Sequence, residues 1–129
     1  MSMASSVAAA SLAPTSAEHV VYAVPRAGIA PFAQWVTVGR LPTSQLRINE
    51  ESISKLHALF MFRNGGYVVS DGGSKNGTFV NEASVPRYDR GDPVAVKSGD
   101  RVRFGAVNFM FLNSQHLWQM AREWKFADK

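Results

Sequence analysis

Arg40 directly follows Gly39 at the end of an apolar stretch, and a guanidinium in that place can clamp a phosphate with two parallel N–H donors. Ser54-Lys55-Leu56-His57 sets a hydroxyl, an ammonium and an imidazole at the entrance to the next long apolar run. Asp71-Gly72-Gly73-Ser74-Lys75-Asn76-Gly77-Thr78 joins a carboxylate, two hydroxyls, a second ammonium and an amide in a glycine-rich loop. Hydroxyls and loop amides are natural donors to phosphate oxygens. Each group also has a plainer reading. Arg40 alone would be a solvated turn residue, and His57 alone would hold a neighbouring loop by hydrogen bonds. Asn76-Gly77 is a hairpin-turn signal in its own right, which Ser74 and Thr78 would satisfy locally.

The same residues do not assemble a catalyst on paper. Ser54, His57 and Asp71 name the members of a hydrolase triad, but no G-x-S-x-G elbow is present and the spacing fits no triad layout. His19, His57 and His116 lie far apart, without metal-ligand spacing, and there is no cysteine. Neither G-x-x-x-x-G-K-[ST] nor G-x-G-x-x-G occurs. The expectation is a binding protein, not an enzyme, with no metal and no cofactor.

The elements that must position these groups are short strands. Apolar runs at 19–24, 35–38, 46–48, 57–63, 67–71, 78–80, 94–96, 102–104 and 107–112 alternate with Gly, Asn, Asp and Pro turns. Along 57–63, Ala58, Phe60 and Phe62 share one face. Many short strands at close spacing predict an all-β, antiparallel β-sandwich. Residues 82–92 read as a polar, turn-rich loop containing Arg87 and Arg90. After Asn113-Ser114, Leu117, Met120, Ala121 and Trp124 fall at i, i+3, i+4 and i+7, which predicts a C-terminal amphipathic α-helix over 115–126.

Composition bounds the rest. The 129 residues suffice for one domain with tails and a substantial core. The formal net charge of +4 favours anionic partners, yet the basic residues are scattered and form no run. That argues against nucleic acid. No apolar stretch approaches the ~18 residues of a membrane span. The Ala/Ser-rich start has no basic residue before Arg26 and reads as a flexible leader, not a secretion signal. The expected organisation is a leader over 1–18, a sandwich over 19–113 and a helical segment over 114–129, in a cytoplasmic protein. Thr15 lies in the leader within Pro-Thr-Ser and is a candidate phosphorylation site.

In order, the motifs are Gly39-Arg40, Ser54-x-x-His57, Asp71-x-x-Ser74-x-Asn76-Gly77-Thr78-x-x-Asn81 and Gly99-Asp100-x-x-x-Phe104-Gly105. Together they closely resemble the forkhead-associated (FHA) domain, over roughly 20–112. The resemblance implies a β-sandwich with its site in the loops at one end, and a phosphothreonine in an extended peptide as ligand. FHA modules are an established example of phospho-motif recognition. By matching position, Arg40 and Ser54 would hold the phosphate, Lys55 and Lys75 would add contacts, and Asn76 would hold the peptide backbone. Gly39, His57, Asp71 and Gly77 would orient the loops. Two positions depart from the pattern. Lys55 stands where the family most often has Arg, and Glu82 where it commonly has Gly.

The implied partner is a phosphothreonine protein, either a Ser/Thr kinase substrate or the kinase itself, with the domain acting as adaptor or sensor. The expected state is a monomer or weak homo-oligomer, without nucleic acid or membrane. The alternative is a phospho-independent interaction or assembly module that docks a partner through the C-terminal helix.

Overall fold

The computed structural model describes residues 6–11, 19–25 and 35–127. Eleven strands and one helix follow in chain order. They are β1 (Ser6–Ser11), β2 (His19–Val24), β3 (Val36–Gly39), β4 (Leu46–Arg47), β5 (Ala58–Arg63), β6 (Gly66–Asp71), β7 (Thr78–Val80), β8 (Ala83–Ser84), β9 (Val94–Val96), β10 (Arg101–Phe104), β11 (Val107–Leu112) and α1 (Ser114–Ala127). One sheet runs β2-β1-β11-β10-β7-β8 and the other β4-β3-β5-β6-β9. All strand pairs are antiparallel except β3 with β4.

Alternation along the strands builds the core between the sheets. Val36 and Val38 from β3, Ala58 and Phe60 from β5, Tyr67 and Val69 from β6, Val102 and Phe104 from β10, and Phe109 and Phe111 from β11 are all buried. Phe60 sits at the centre, stacked on Phe111 at 5.9 Å between centroids and edge-on to Phe104 at 6.2 Å. Such pairs add about 0.5–1.5 kcal/mol each beyond burial. The Tyr67 hydroxyl donates to the Val24 carbonyl at 2.8 Å, so its one polar atom is satisfied inside the core.

Two strands lie where the sequence predicts none. β1 occupies part of the segment 1–18 that the sequence reads as a flexible leader. Ser6–Ser11 pairs with β2 on one side and β11 on the other, with Val7 opposite Leu112. An Ala-rich stretch has little strand propensity of its own, and here tertiary pairing supplies what propensity lacks. β8 pairs with β7 through a tight turn at Asn81 and Glu82, both at positive φ (50° and 66°). Two consecutive left-handed residues make the turn that matches strand twist. Thr15 lies outside the described residues.

The helix forms as the periodicity predicts. Asn113 caps it, its side-chain oxygen accepting the His116 N–H at 2.8 Å. Ser98 fastens the start of the helix to the β9–β10 turn, accepting the Asn113 N–H and meeting His116 Nδ1, both at 2.9 Å. Among the described residues, no helix is long and apolar enough to cross a membrane.

Candidate functional site

Three loops meet at one end of the sandwich: 40–45 after β3, 48–57 before β5, and 72–77 between β6 and β7. The first two are zipped together by Arg40 N–H to Ser54 O at 3.0 Å and His57 N–H to Val38 O at 2.7 Å. Gly39 permits this approach. A Cβ there would stand 2.1 Å from the Lys55 carbonyl oxygen, closer than any side chain tolerates. Arg40 itself is exposed, and its Nε donates to the Ile53 carbonyl at 2.9 Å. That one bond fixes the plane of the guanidinium. Its four remaining N–H donors have no acceptor among the described residues.

Ser54 links the second loop to the third. Its Oγ accepts the Lys75 N–H at 2.9 Å, which leaves the hydroxyl hydrogen to donate elsewhere. Lys55 and Lys75 are exposed on either side. Asn76 uses its Nδ2 to donate to the Ser52 carbonyl at 2.9 Å and keeps its Oδ1 free of donors among the described residues.

His57 is fully buried and ties all of this together. Nδ1 accepts the Ser54 N–H at 3.1 Å, and Nε2 lies 2.8 Å from the Gly77 carbonyl. The first contact requires an unprotonated Nδ1, so Nε2 carries the hydrogen and donates to Gly77. The ring also packs edge-on to Phe104 at 5.7 Å. Gly77 is the turn residue that exposes that carbonyl. Its φ is +90°, and a Cβ would lie 2.8 Å from the Phe79 ring.

Asp71 folds the third loop around its carboxylate. It accepts the Gly73 and Ser74 N–H groups at 2.9 Å, and the Ser74 and Thr78 hydroxyls at 2.6 Å. Ser74 Oγ in turn accepts the Gly77 N–H. The triad that could be drawn from Ser54, His57 and Asp71 is not assembled. The imidazole bonds to backbone at both nitrogens, and four donors saturate the carboxylate. Among the described residues, no group of three or more potential metal ligands occurs either.

Burial holds the His57 pKa below its ordinary value, against smaller opposing effects of the Gly77 carbonyl and the Asp71 charge. Burial pushes Asp71 upward, but the hydrogen bonds from Ser74, Thr78 and the loop amides together outweigh it, and its pKa is lowered. Both shifts act in one direction. Below the ordinary histidine value of ~6.5 the unfolded chain takes a proton that the folded one refuses, so stability falls as pH drops from there towards the folded His57 value. The Asp71 contribution is complete above ~3.9 and is lost as pH falls through its lowered value. Urea midpoints at pH 8 and pH 5 should show the loss, and a His57→Leu variant should show less of it.

Sequence reasoning missed the support beneath the site. Ser52 Oγ accepts the Ala106 N–H at 3.0 Å and donates to the Glu50 carboxylate, while Gly105 N–H donates to the Gly77 carbonyl at 2.9 Å. The β10–β11 turn thus props up both loops that flank His57. The Gly105 motif hinted at this turn; nothing in the sequence pointed to Ser52.

Of the sequence-predicted residues, Arg40, Ser54, Lys55, Lys75 and Asn76 are brought to one end, with Gly39, His57, Asp71 and Gly77 behind them. Arg87 lies against the third loop, where a Cβ on Gly73 would stand 3.6 Å from its Nε. Arg87 pairs with Asp89 at 3.1 Å, and its backbone bridges to Asp71.

The family model of the FHA domain matches residues 36–105, which spans every one of these site positions. The chain belongs to the FHA domain family. It is 36% identical over 103 residues to the glycogen accumulation regulator GarA of Mycobacterium tuberculosis, covering 78% of this chain and 60% of that one. It is 37% identical over 76 residues to the oxoglutarate dehydrogenase inhibitor of Corynebacterium diphtheriae, covering 59% and 49%. The FHA chain therefore spans about half the length of these curated relatives, which are named as a regulator and an inhibitor. A structure solved in a study of phosphothreonine-dependent FHA domain interactions superposes with a TM-score of 0.62 at 20% identity, covering 83% of this chain and 95% of that one. At that identity the likeness concerns the fold: the sandwich is an FHA sandwich.

Proposed function

We propose that this FHA domain binds phosphothreonine within an extended peptide segment, as an adaptor or sensor in Ser/Thr kinase signalling in the cytoplasm. The observation that carries this reading is the set of donors at the loop apex that have no acceptor among the described residues: four N–H groups of Arg40, the Ser54 hydroxyl hydrogen and the two ammonium groups of Lys55 and Lys75. Phosphothreonine brings about −1.5 to −2 charge and three strong acceptor oxygens. Arg40 clamps two of those oxygens and Ser54 donates to one. Lys55 and Lys75 add charge without a fixed fork, and Asn76 receives the peptide backbone beside the phosphothreonine. The partner is a phosphorylated kinase substrate or the kinase itself. The regulator and inhibitor names of the relatives, and the phosphothreonine-dependent interactions of the solved neighbour, agree with such a role.

The test is calorimetric titration with degenerate phosphothreonine, phosphoserine and unphosphorylated peptide pools. Charge-assisted hydrogen bonds are worth ~1.5–3 kcal/mol each, so two of them separate phosphorylated from bare peptide by at least about 100-fold. The threonine methyl is worth ~0.8 kcal/mol when buried, which limits the preference over phosphoserine to about 4-fold. A folded protein that binds no pool would favour the assembly-module reading instead. The observation on that side is Trp118 on α1, which is 66% exposed.

A further inference from the structure

We infer that Arg47 forms a second anion-binding position beside the phosphate site, which selects ligands carrying another negative group close to the phosphothreonine. The inference rests on the proposed phosphothreonine reading and deepens it.

β4 runs parallel to β3, with Arg47 opposite Gly39. Its neighbours Leu46 and Ile48 are buried while Arg47 is exposed, so its side chain lies on the outer surface of the sheet edge. From there it reaches up to the site, where Nε donates to the carbonyl of Arg40 at 3.2 Å. The second guanidinium is thus anchored against the peptide unit of the first. As with Arg40, one N–H is committed to a backbone carbonyl and four have no acceptor among the described residues. A backbone carbonyl orients the group without neutralising it.

The nearby carboxylates do not neutralise it either. Glu50 is folded onto the N–H and hydroxyl of Ser52, and Glu51 makes no ion pair among the described residues. The described ion pairs are Arg87 with Asp89 and Arg103 with Glu82, both away from this edge. Two oriented arginine forks, one just after β3 and one on β4, therefore flank one loop without an ion-pair partner among the described residues. A single phosphate can occupy the Arg40 fork. An extended ligand advances ~3.3 Å per residue, so an anionic group within about three residues of the phosphothreonine comes within reach of the Arg47 fork. A carboxylate and a second phosphate both have the paired oxygens this fork accepts.

The test compares three peptides built on one neutral sequence. One carries phosphothreonine alone, one adds Glu at the three positions on each side, and one adds a second phosphorylated residue there. Affinities are measured by fluorescence anisotropy for the wild type, Arg47→Gln, and Arg63→Gln. The last makes the same charge change at the far end of β5. An exposed but oriented ion pair predicts that Arg47→Gln weakens the Glu-flanked peptide about 5-fold and the neutral one less than 2-fold, with Arg63→Gln leaving both unchanged. The Arg47-dependent part should shrink on raising salt to ~0.5 M. A larger Arg47-dependent gain from the second phosphate than from Glu would identify a doubly phosphorylated ligand, a larger gain from Glu would identify carboxylates, and equal gains would show that the fork accepts either anion. Equal losses on neutral and Glu-flanked peptides, or the same loss with Arg63→Gln, would overturn the inference. In that outcome wild-type binding to the neutral phosphothreonine peptide persists and the functional reading stands. Failure of the wild type to bind any of the three peptides would remove both.

Discussion

Replacing Arg40 by Ala is expected to weaken phosphothreonine-peptide binding by two to three orders of magnitude while the domain stays folded. The size follows from the fork. Two charge-assisted bonds to one phosphate are worth ~3–4 kcal/mol together, and each 1.4 kcal/mol is a factor of ten. The fold is spared because Arg40 is exposed and its side chain gives the protein one hydrogen bond, to the Ile53 carbonyl, while its backbone bonds survive the substitution. Loss of that bond should cost about 1 kcal/mol or less. Arg40→Lys is the sharper companion. It keeps the charge but loses both the planar fork and the Nε contact, so it should recover only a minor part of the affinity. Calorimetry on each variant beside a thermal melt separates the two effects. Near-normal binding by a folded Arg40→Ala protein would place the ligand elsewhere.

His57→Leu should produce the largest loss of stability, about 2–4 kcal/mol, read from the urea midpoint. Leucine fills much of the same space but returns nothing to the Ser54 N–H or the Gly77 carbonyl. The Ser54 N–H would be left without a partner next to a buried side chain, at ~1–3 kcal/mol for an unsatisfied buried group, and the Gly77 carbonyl would keep only its bond from the Gly105 N–H. The edge contact to Phe104 is lost as well. Binding should fall in the molecules that remain folded, because the same two bonds set the positions of Ser54 and of the turn that carries Asn76. A variant that loses stability but binds at full strength would show that the loops hold their shape without the histidine.

Much of this site could be read from the sequence because its requirements are local. Gly39 is demanded by one close approach and Gly77 by one positive φ. Asp71, Ser74 and Thr78 satisfy one another within a single loop. Residue types at fixed short spacing encode such constraints directly. Ser52 is the counterexample, since its partner Ala106 lies on the other side of the sandwich and only the folded chain brings them together. β8 was hidden for a different reason: Glu82 occupies a left-handed position where Gly or Asn would have announced the turn. β1 had no local signature at all. Alanines carry no alternating pattern, and only the neighbouring strands make Ser6–Ser11 extended.

The place of β1 has a bearing on how this protein can be made and handled. β1, the first of the described strands, is an interior strand of its sheet, and β2 meets the rest of that sheet through it. A fragment trimmed to 19–113 would therefore lack the seam between β2 and β11. Because Val7 lies opposite Leu112, the ribosome must finish nearly the whole domain before that seam can close. Until then the nascent chain carries β2 and the apolar runs of the core without their closing partner, which makes late synthesis the interval when a chaperone has most to protect.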